Sequence, residues 1–193
     1  MFSQINQHVL KCASFSPEEL DVFNELLEHK TFPRKTFMLQ EGEVCNFEAY
    51  VIKGCIRTFF IDENGFEVML QFAIEDWWVS DIASFYERTP SKLFIETIED
   101  CDVLFFTPGN KEKLLQKVPR FERVFRLMVQ RNLAATQNRL INTIAKNAVE
   151  KYLDFLDRYP AIPQRVPQHY IAAYLGISPE FLSKVRAKLS KNK

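Results

Sequence analysis

The sequence predicts an α+β protein in three successive parts: an antiparallel β-roll of the jelly-roll kind with an N-terminal helix, one long helix, and a helical C-terminal unit that contains a helix-turn-helix. Three observations carry this reading. Between Phe32 and Thr107, short runs rich in β-branched and aromatic residues recur, broken by Gly42, Gly54 and Asp62-Glu63-Asn64-Gly65, which is the pattern of a sandwich or roll. From Phe121 to Ile144 apolar residues return at helical spacing without a break. Near the end, Gly176 separates two short amphipathic stretches, as in two helices that cross at a tight turn.

The chain begins helically. Ser16-Pro17-Glu18-Glu19 is a capping box with proline at the first helical position, and Leu20, Phe23, Leu26 and Leu27 make a buried stripe. Helix is therefore expected to about Thr31, as a lid or packing element. Strands are expected at Thr36–Gln40, Ala49–Lys53, Cys55–Ile61, Glu67–Ala73, Leu93–Ile98 and Val103–Thr107. Ile74 to Lys92 breaks strand periodicity, with a short helix around Ile82–Tyr86. Trp77, Trp78, Phe85 and Tyr86 within it read as core and rim aromatics closing one end of the roll.

After Pro108-Gly109 a short helix near Asn110–Lys117 stops before Pro119, and a long one runs to about Lys146. Phe121, Phe125, Val129, Leu133, Thr136, Leu140 and Ile144 form its main stripe, with Phe125, Val129, Leu133, Thr136 and Leu140 expected at a dimer interface, while Val124, Met128, Ala135 and Ala145 widen the apolar surface. Such a helix has two faces to bury, one on the β domain and one on a second copy of the chain. In the alternative, a monomer buries both internally. Asn147-Ala-Val-Glu150 starts another capped helix, packed through Val149, Tyr152, Leu153 and Leu156 and ended by Tyr159 to Pro163. The expected division is 1–117 for the roll, 118–146 for the long helix and 147–193 for the C-terminal unit.

In that last unit Ile171, Ala172 and Leu175 face inward, Gly176 turns the chain, and Ile177 plugs the corner. Ser178 can cap a second helix with Pro179 at its first position and Glu180 near the positive end of its dipole. Leu182, Val185 and Leu189 point in. Ser178, Pro179, Glu180, Ser183, Lys184, Ala187 and Lys188 are left outward, where a recognition helix meets the major groove. From Gln164 onward the chain carries Arg165, Lys184, Arg186, Lys188, Lys191 and Lys193 against the single acid Glu180. A plain αα-hairpin has the same periodicity, but this basic footprint points to nucleic acid. Arg186, Lys188 and Lys191 read as phosphate contacts.

Lysine plus arginine balance aspartate plus glutamate at 25 each, so affinity for nucleic acid must come from this local segregation of charge. No charged n-region and apolar h-region open the chain and no apolar run is long enough to span a bilayer, which suggests a cytoplasmic protein without membrane partners. Cys12, Cys45, Cys55 and Cys101 are widely spaced without a CxxC and read as thiols. His8, His29 and His169 lie far apart, and no His/Glu cluster falls between Phe32 and Thr107. Neither a metal, a cofactor nor a cupin-like enzyme is therefore expected.

Leu39-Gln-Glu-Gly42, Tyr50-Val-Ile-Lys-Gly-Cys-Ile-Arg57, Trp78-Val-Ser-Asp-Ile-Ala-Ser-Phe85, Ile95-Glu-Thr-Ile-Glu-Asp-Cys101 and the C-terminal motif, in this order, resemble the Crp-Fnr family of bacterial transcription regulators over nearly the whole chain. The resemblance implies a cyclic-nucleotide-binding-type roll, a dimerisation helix and a DNA-binding helix-turn-helix. It implies double-stranded DNA and a second copy as partners, with room for an unidentified small-molecule effector and a contact to RNA polymerase. In the family's cyclic-nucleotide sensors a Gly-Glu pair holds the ribose hydroxyl and an Arg-Ser or Arg-Thr pair holds the phosphate. The positions matched to them here are Ser80-Asp81 and Ser91-Lys92, followed by Leu93. Asp81 can still accept from a hydroxyl and Lys92 can still meet an anion, but a lysine lacks the fork for bidentate phosphate binding, so cyclic AMP is not expected and the effector is unknown or lost. The cysteine spacing excludes the iron–sulfur branch. Family members continue past the recognition helix into a β-hairpin wing, whereas this sequence ends at Lys193, so a truncated or absent wing is expected. Pro179 stands where the family often has arginine, Glu180 is retained, and Lys184 occupies a position expected to be basic. The function these residues imply is a homodimeric, sequence-specific transcription regulator and not an enzyme. The alternative is a small-molecule- or protein-binding roll whose tail is a structural hairpin.

Overall fold

The computed structural model describes residues 1–190, so Lys191 and Lys193 of the basic footprint lie outside the described residues. Two helices, α1 (Ser3–Leu10) and α2 (Pro17–Glu25), precede the roll. Ser16 caps α2 as its sequence requires, its backbone N–H donating to Glu19 at 2.8 Å and its Oγ accepting from the Glu19 N–H at 3.3 Å. Helix does not continue to Thr31. Glu28–Phe32 is instead a strand, β1, paired antiparallel with Cys101–Phe106. As an edge strand with four exposed residues it lacks the apolar alternation that marks a strand in sequence.

The other strands are β2 (Phe37–Leu39), β3 (Glu48–Lys53), β4 (Ile56–Ile61), β5 (Glu67–Ala73), β6 (Trp78–Val79), β7 (Phe94–Thr97) and β8 (Cys101–Phe106). They form two four-stranded antiparallel sheets, in the orders β1-β8-β3-β6 and β2-β7-β4-β5. The roll interior is filled by residues such as Phe47, Val51, Ile56, Val79, Ile95 and Val103. The chain crosses between the sheets at Gly54, whose φ is +104°. A Cβ there would stand 2.5 Å from Cys101 Sγ and 2.7 Å from the Asp100 carbonyl, so only glycine fits. In β5 the register slips opposite Thr58 and Phe59, leaving Leu70 as a bulge.

Helix α3 (Ile82–Glu87) lies between β6 and β7, and α4 (Pro108–Lys117) leads to the long α5 (Phe121–Ala145). The apolar docking of α5 on the roll is confined to its first turns, and farther along the helix Arg139 bonds to β5 carbonyls. Phe121 stacks on Phe23 at 4.6 Å between centroids, and Phe125 sets its ring edge-to-face on Phe106 at 6.1 Å. Phe125 is thus removed from the expected intersubunit stripe, because its place on the helix turns it into the protein's own core, where the Lys111 ammonium sits 3.9 Å from its ring.

The C-terminal part comprises α6 (Ala148–Arg158), α7 (Ile162–Arg165), α8 (Gln168–Leu175) and α9 (Pro179–Ser190). It has no separate core. Phe155, Ile171, Leu175 and Leu182 pack in one cluster with Phe59, Met69 and Phe72 from the outer face of the second sheet. Among the described residues no helix is long and apolar enough to cross a membrane.

Candidate nucleic-acid interface and effector pocket

The helix-turn-helix forms where expected. Gly176 ends α8 in the left-handed region at φ +68°, with its N–H returned to the Ala172 and Ala173 carbonyls, so the turn satisfies the end of the helix. Ser178 Oγ accepts from the Phe181 N–H at 3.2 Å and starts α9. Leu182 and Val185 are buried, and Ile177 and Leu189 pack half-buried against the same cluster. Ser178, Pro179, Glu180, Ser183, Lys184, Arg186 and Lys188 are all exposed. Glu180 titrates below the ordinary carboxylate value because its own backbone N–H and the Ser178 hydroxyl donate to it and Lys184 lies nearby. Among the described residues no acid forms an ion pair with Lys184, Arg186 or Lys188. This face also displays Phe181, 47% exposed, which helical periodicity alone does not separate from the inward residues.

Arg165 behaves differently from the other cations of the footprint. At the end of α7, its guanidinium donates from Nη1 and Nη2 to Glu75 at 2.6 and 2.9 Å, and from Nε and Nη2 to Glu99 at 3.0 and 2.6 Å. Burial opposes ionisation of Glu75, but Arg165 and the Gly54 N–H more than compensate, holding its pKa at about 2. Two more arginines tie α8 to the rest of the chain. Arg57, buried in β4 between Glu67 and Glu96, has its guanidinium 4.0 Å from the Tyr170 ring centre. Arg139 of α5 lies 4.1 Å from the Tyr174 ring and donates to the Met69 carbonyl at 2.6 Å, to that of Leu70 at the β5 bulge, and to that of Tyr174.

Beyond its docked turns, α5 exposes Val129, Leu133, Thr136 and Leu140, with Ile144 continuing the row. Leu133 and Leu140 are 56% and 60% exposed, which leaves an unpartnered apolar seam at heptad-like spacing.

The residues matched to the effector pocket come together, but mostly bind one another. Asp81 is buried and caps α3, accepting from the Ser84 N–H at 3.2 Å through Oδ1 and from the Ser91 hydroxyl at 2.7 Å through Oδ2. Ser91 Oγ in turn accepts from the Leu93 N–H at 2.9 Å, and Ser80 Oγ donates to the Phe47 carbonyl at 2.8 Å. Lys92 is exposed. The guanidinium on this rim belongs to Arg88, which Thr89 follows and which is not among the residues matched to the pocket from sequence. Arg88 is left-handed at φ 57°, and its Nη1 donates to the Cys45 carbonyl at 2.9 Å. Elsewhere the four cysteines are buried and unpaired, burial raising Cys55 to about 12 and Cys101 to about 11. Among the described residues no three His, Cys, Asp or Glu side chains are grouped to hold a metal ion.

No family model matches the chain. The cAMP-activated global transcriptional regulator CRP of Escherichia coli O6:H1 is 22% identical over 114 residues, 59% of this chain and 54% of that protein, so the chain matches about half the length of this relative. Among solved structures, the c-di-GMP responsive global regulator CLP of Xanthomonas campestris superposes with a TM-score of 0.75 at 17% identity, covering 92% of this chain and 93% of that one. FixK2 from Bradyrhizobium japonicum superposes at 0.73 with 18% identity, covering 86% and 85%. Superposing over 86% to 92% of its length, the chain has the fold of the Crp/Fnr regulators.

Proposed function

We propose that the protein is a sequence-specific DNA-binding transcription regulator of the Crp/Fnr type, acting as a homodimer. The observation that carries the reading is α9, with an inward face locked in the core and an outward face of exposed polar and basic side chains. Glu180 can accept from a cytosine N4 and Lys184 can donate to guanine O6 or N7, while Arg186 and Lys188 suit phosphates. Phe181 adds an apolar surface of the kind that meets thymine methyl groups. The exposed row Val129, Leu133, Thr136 and Leu140 supplies the seam for a second copy. In this division 1–117 is the sensory part, 118–146 the dimerisation helix and 147–193 the DNA-binding part. Selection from randomised duplexes with the purified protein tests the reading. Recovery of a two-fold symmetric site is expected, whereas enrichment of no sequence, without salt-dependent binding, would leave a binding module with a structural hairpin.

The effector, in this reading, is not cyclic AMP. Asp81 already holds two internal donors and Lys92 offers no fork, so calorimetry with cyclic AMP and cyclic GMP should show no binding at physiological concentrations. A micromolar constant abolished by Lys92→Ala or Arg88→Ala would restore a cyclic-nucleotide sensor. RNA polymerase contact and regulation without catalysis accompany the regulator reading.

A further inference from the structure

We propose that Arg165 is a positioning residue for the DNA-binding unit, a clamp that sets the orientation of the helix-turn-helix on the roll, and not a contact to nucleic acid. The proposal rests on the DNA-binding reading above and changes the role of a residue that sequence alone places in the basic footprint.

The geometry is specific. All three guanidinium nitrogens are engaged by two carboxylates, each held through both its oxygens, which fixes the plane of the group as well as its distance. One cation between Glu75 and Glu99 leaves this corner with an excess of negative charge, which repels a phosphate. Both carboxylates are themselves placed by the roll, since Glu75 follows β5, Glu99 follows β7, and Glu75 Oε1 also accepts from the Gly54 N–H at 2.9 Å at the crossing between the sheets.

Arg165 closes α7 immediately ahead of α8, and buried Ile162 and Val166 flank it in the shared core. Further along α8, Tyr170 and Tyr174 stand one turn apart on the face that meets Arg57 and Arg139. The first helix of the motif is thus fixed near its start and along its length. Helix α9 takes its direction from α8 through the buried contacts of Leu182 and Val185 with Ile171 and Leu175. Orientation matters for a dimer because the gain from engaging a second half-site exists only if geometry permits both at once.

The test uses the full chain with Arg165→Ala, Glu75→Gln and Glu99→Gln, on duplexes carrying two half-sites or one, across a salt series, together with hydrogen exchange of the α8 amides. All three variants should weaken two-site binding in the same direction, about tenfold for Arg165→Ala, with half-site affinity and the salt slope nearly unchanged. A phosphate contact behaves oppositely. Arg165→Ala would then lower affinity on both duplexes and reduce the salt slope by about one, while removing either acid would tighten binding. That outcome overturns the proposal.

Exchange separates this from failure of the DNA reading. Faster α8 exchange in all three variants of a protein that binds no duplex would sink the DNA reading and leave only a structural clamp. Unchanged exchange in a protein that binds DNA normally would sink the clamp alone. Arg165→Lys keeps the charge without the forks and should not rescue two-site affinity. If Arg165→Ala does not fold, Glu99→Gln, which leaves the Glu75 fork intact, decides the sign.

Discussion

The two helices of the helix-turn-helix are held in opposite ways. Helix α8 is gripped by the roll and the long helix through Tyr170, Tyr174 and, just ahead of it, Arg165, whereas α9 touches the protein through its inward residues and leaves its other side open. Basic residues that look equivalent in a charge count therefore have two different occupations. Arg165 is consumed inside the molecule, and Lys184, Arg186 and Lys188 are presented outward. The contrast teaches that a basic footprint must be discounted for internal partners before it is assigned to a ligand.

The sharpest way to break the comparison is to remove the proposed second copy, on which, in the regulator reading, the use of the outward face depends. Leu133→Glu combined with Leu140→Glu places charges in the exposed seam of α5, and light scattering should then report a monomer. Affinity for a two-half-site duplex should fall by roughly 10²- to 10⁴-fold. If the double variant stays dimeric, the subunits meet elsewhere and the exposed row has another use.

The gripped side should be felt in stability. Arg57 is buried and paired with the partly buried Glu96, and its guanidinium lies 4.0 Å from the centres of both the Phe59 and Tyr170 rings. Arg57→Ala leaves Glu96 with an uncompensated charge and should cost roughly 3–5 kcal/mol in chemical denaturation. Loss of under about 1 kcal/mol would mean that water replaces the guanidinium freely.

On the open side, losses should appear in binding and not in stability. Glu180→Ala or Lys184→Ala should cost about 1–3 kcal/mol on the selected site and little on random duplex, measured by titration at fixed salt. Arg186→Ala or Lys188→Ala should instead weaken both duplexes alike. Equal losses for all four would mean that α9 does not read bases.

The same contrast explains what could be read in the sequence. Local chemistry was legible: the Ser16 and Asn147 capping boxes, the Gly176 turn, the Glu67–Ala73 strand and the short helix from Ile82 all lie within a few residues of their expected places. Features set by tertiary contact were not. β1 is a polar edge strand whose pairing with β8 lies about seventy residues away, so its own pattern carries no strand signal. The stripe that includes Phe125 is a single helical row, but the roll covers only its beginning, and nothing in the periodicity marks where that cover stops. The docking of the C-terminal helices on β5, and with it the partners of Arg165, depends on residues about ninety and sixty-six positions distant. The cluster of Asp81, Ser91 and Leu93 was legible only through the family resemblance. Its internal pairing of Asp81 with Ser91, and the guanidinium of Arg88, emerge only once α3 is folded.

The smallest effect is also the one that isolates the clamp by its charge. Glu75 has its pKa held at about 2, below its ordinary 4.5, chiefly by Arg165 acting against burial. A depressed carboxylate pKa contributes stability that is present above the unfolded value and is lost as pH falls through the folded one. The contribution should therefore be complete at neutral pH, begin to decline below about 4.5 and vanish near 2. Because both partners are partly exposed, solvent screens the pair and the effect should be modest. Glu75→Gln removes the titrating group while keeping its shape, so the wild type should exceed it in thermal midpoint at neutral pH and converge with it as the solution is acidified. Exchange of the α8 amides should follow the same course, quickening in the wild type over that window and remaining flat in Glu75→Gln. A difference that persists undiminished to pH 2 would show that Glu75 acts through shape and hydrogen bonding, and the grip on α8 would then owe nothing to charge.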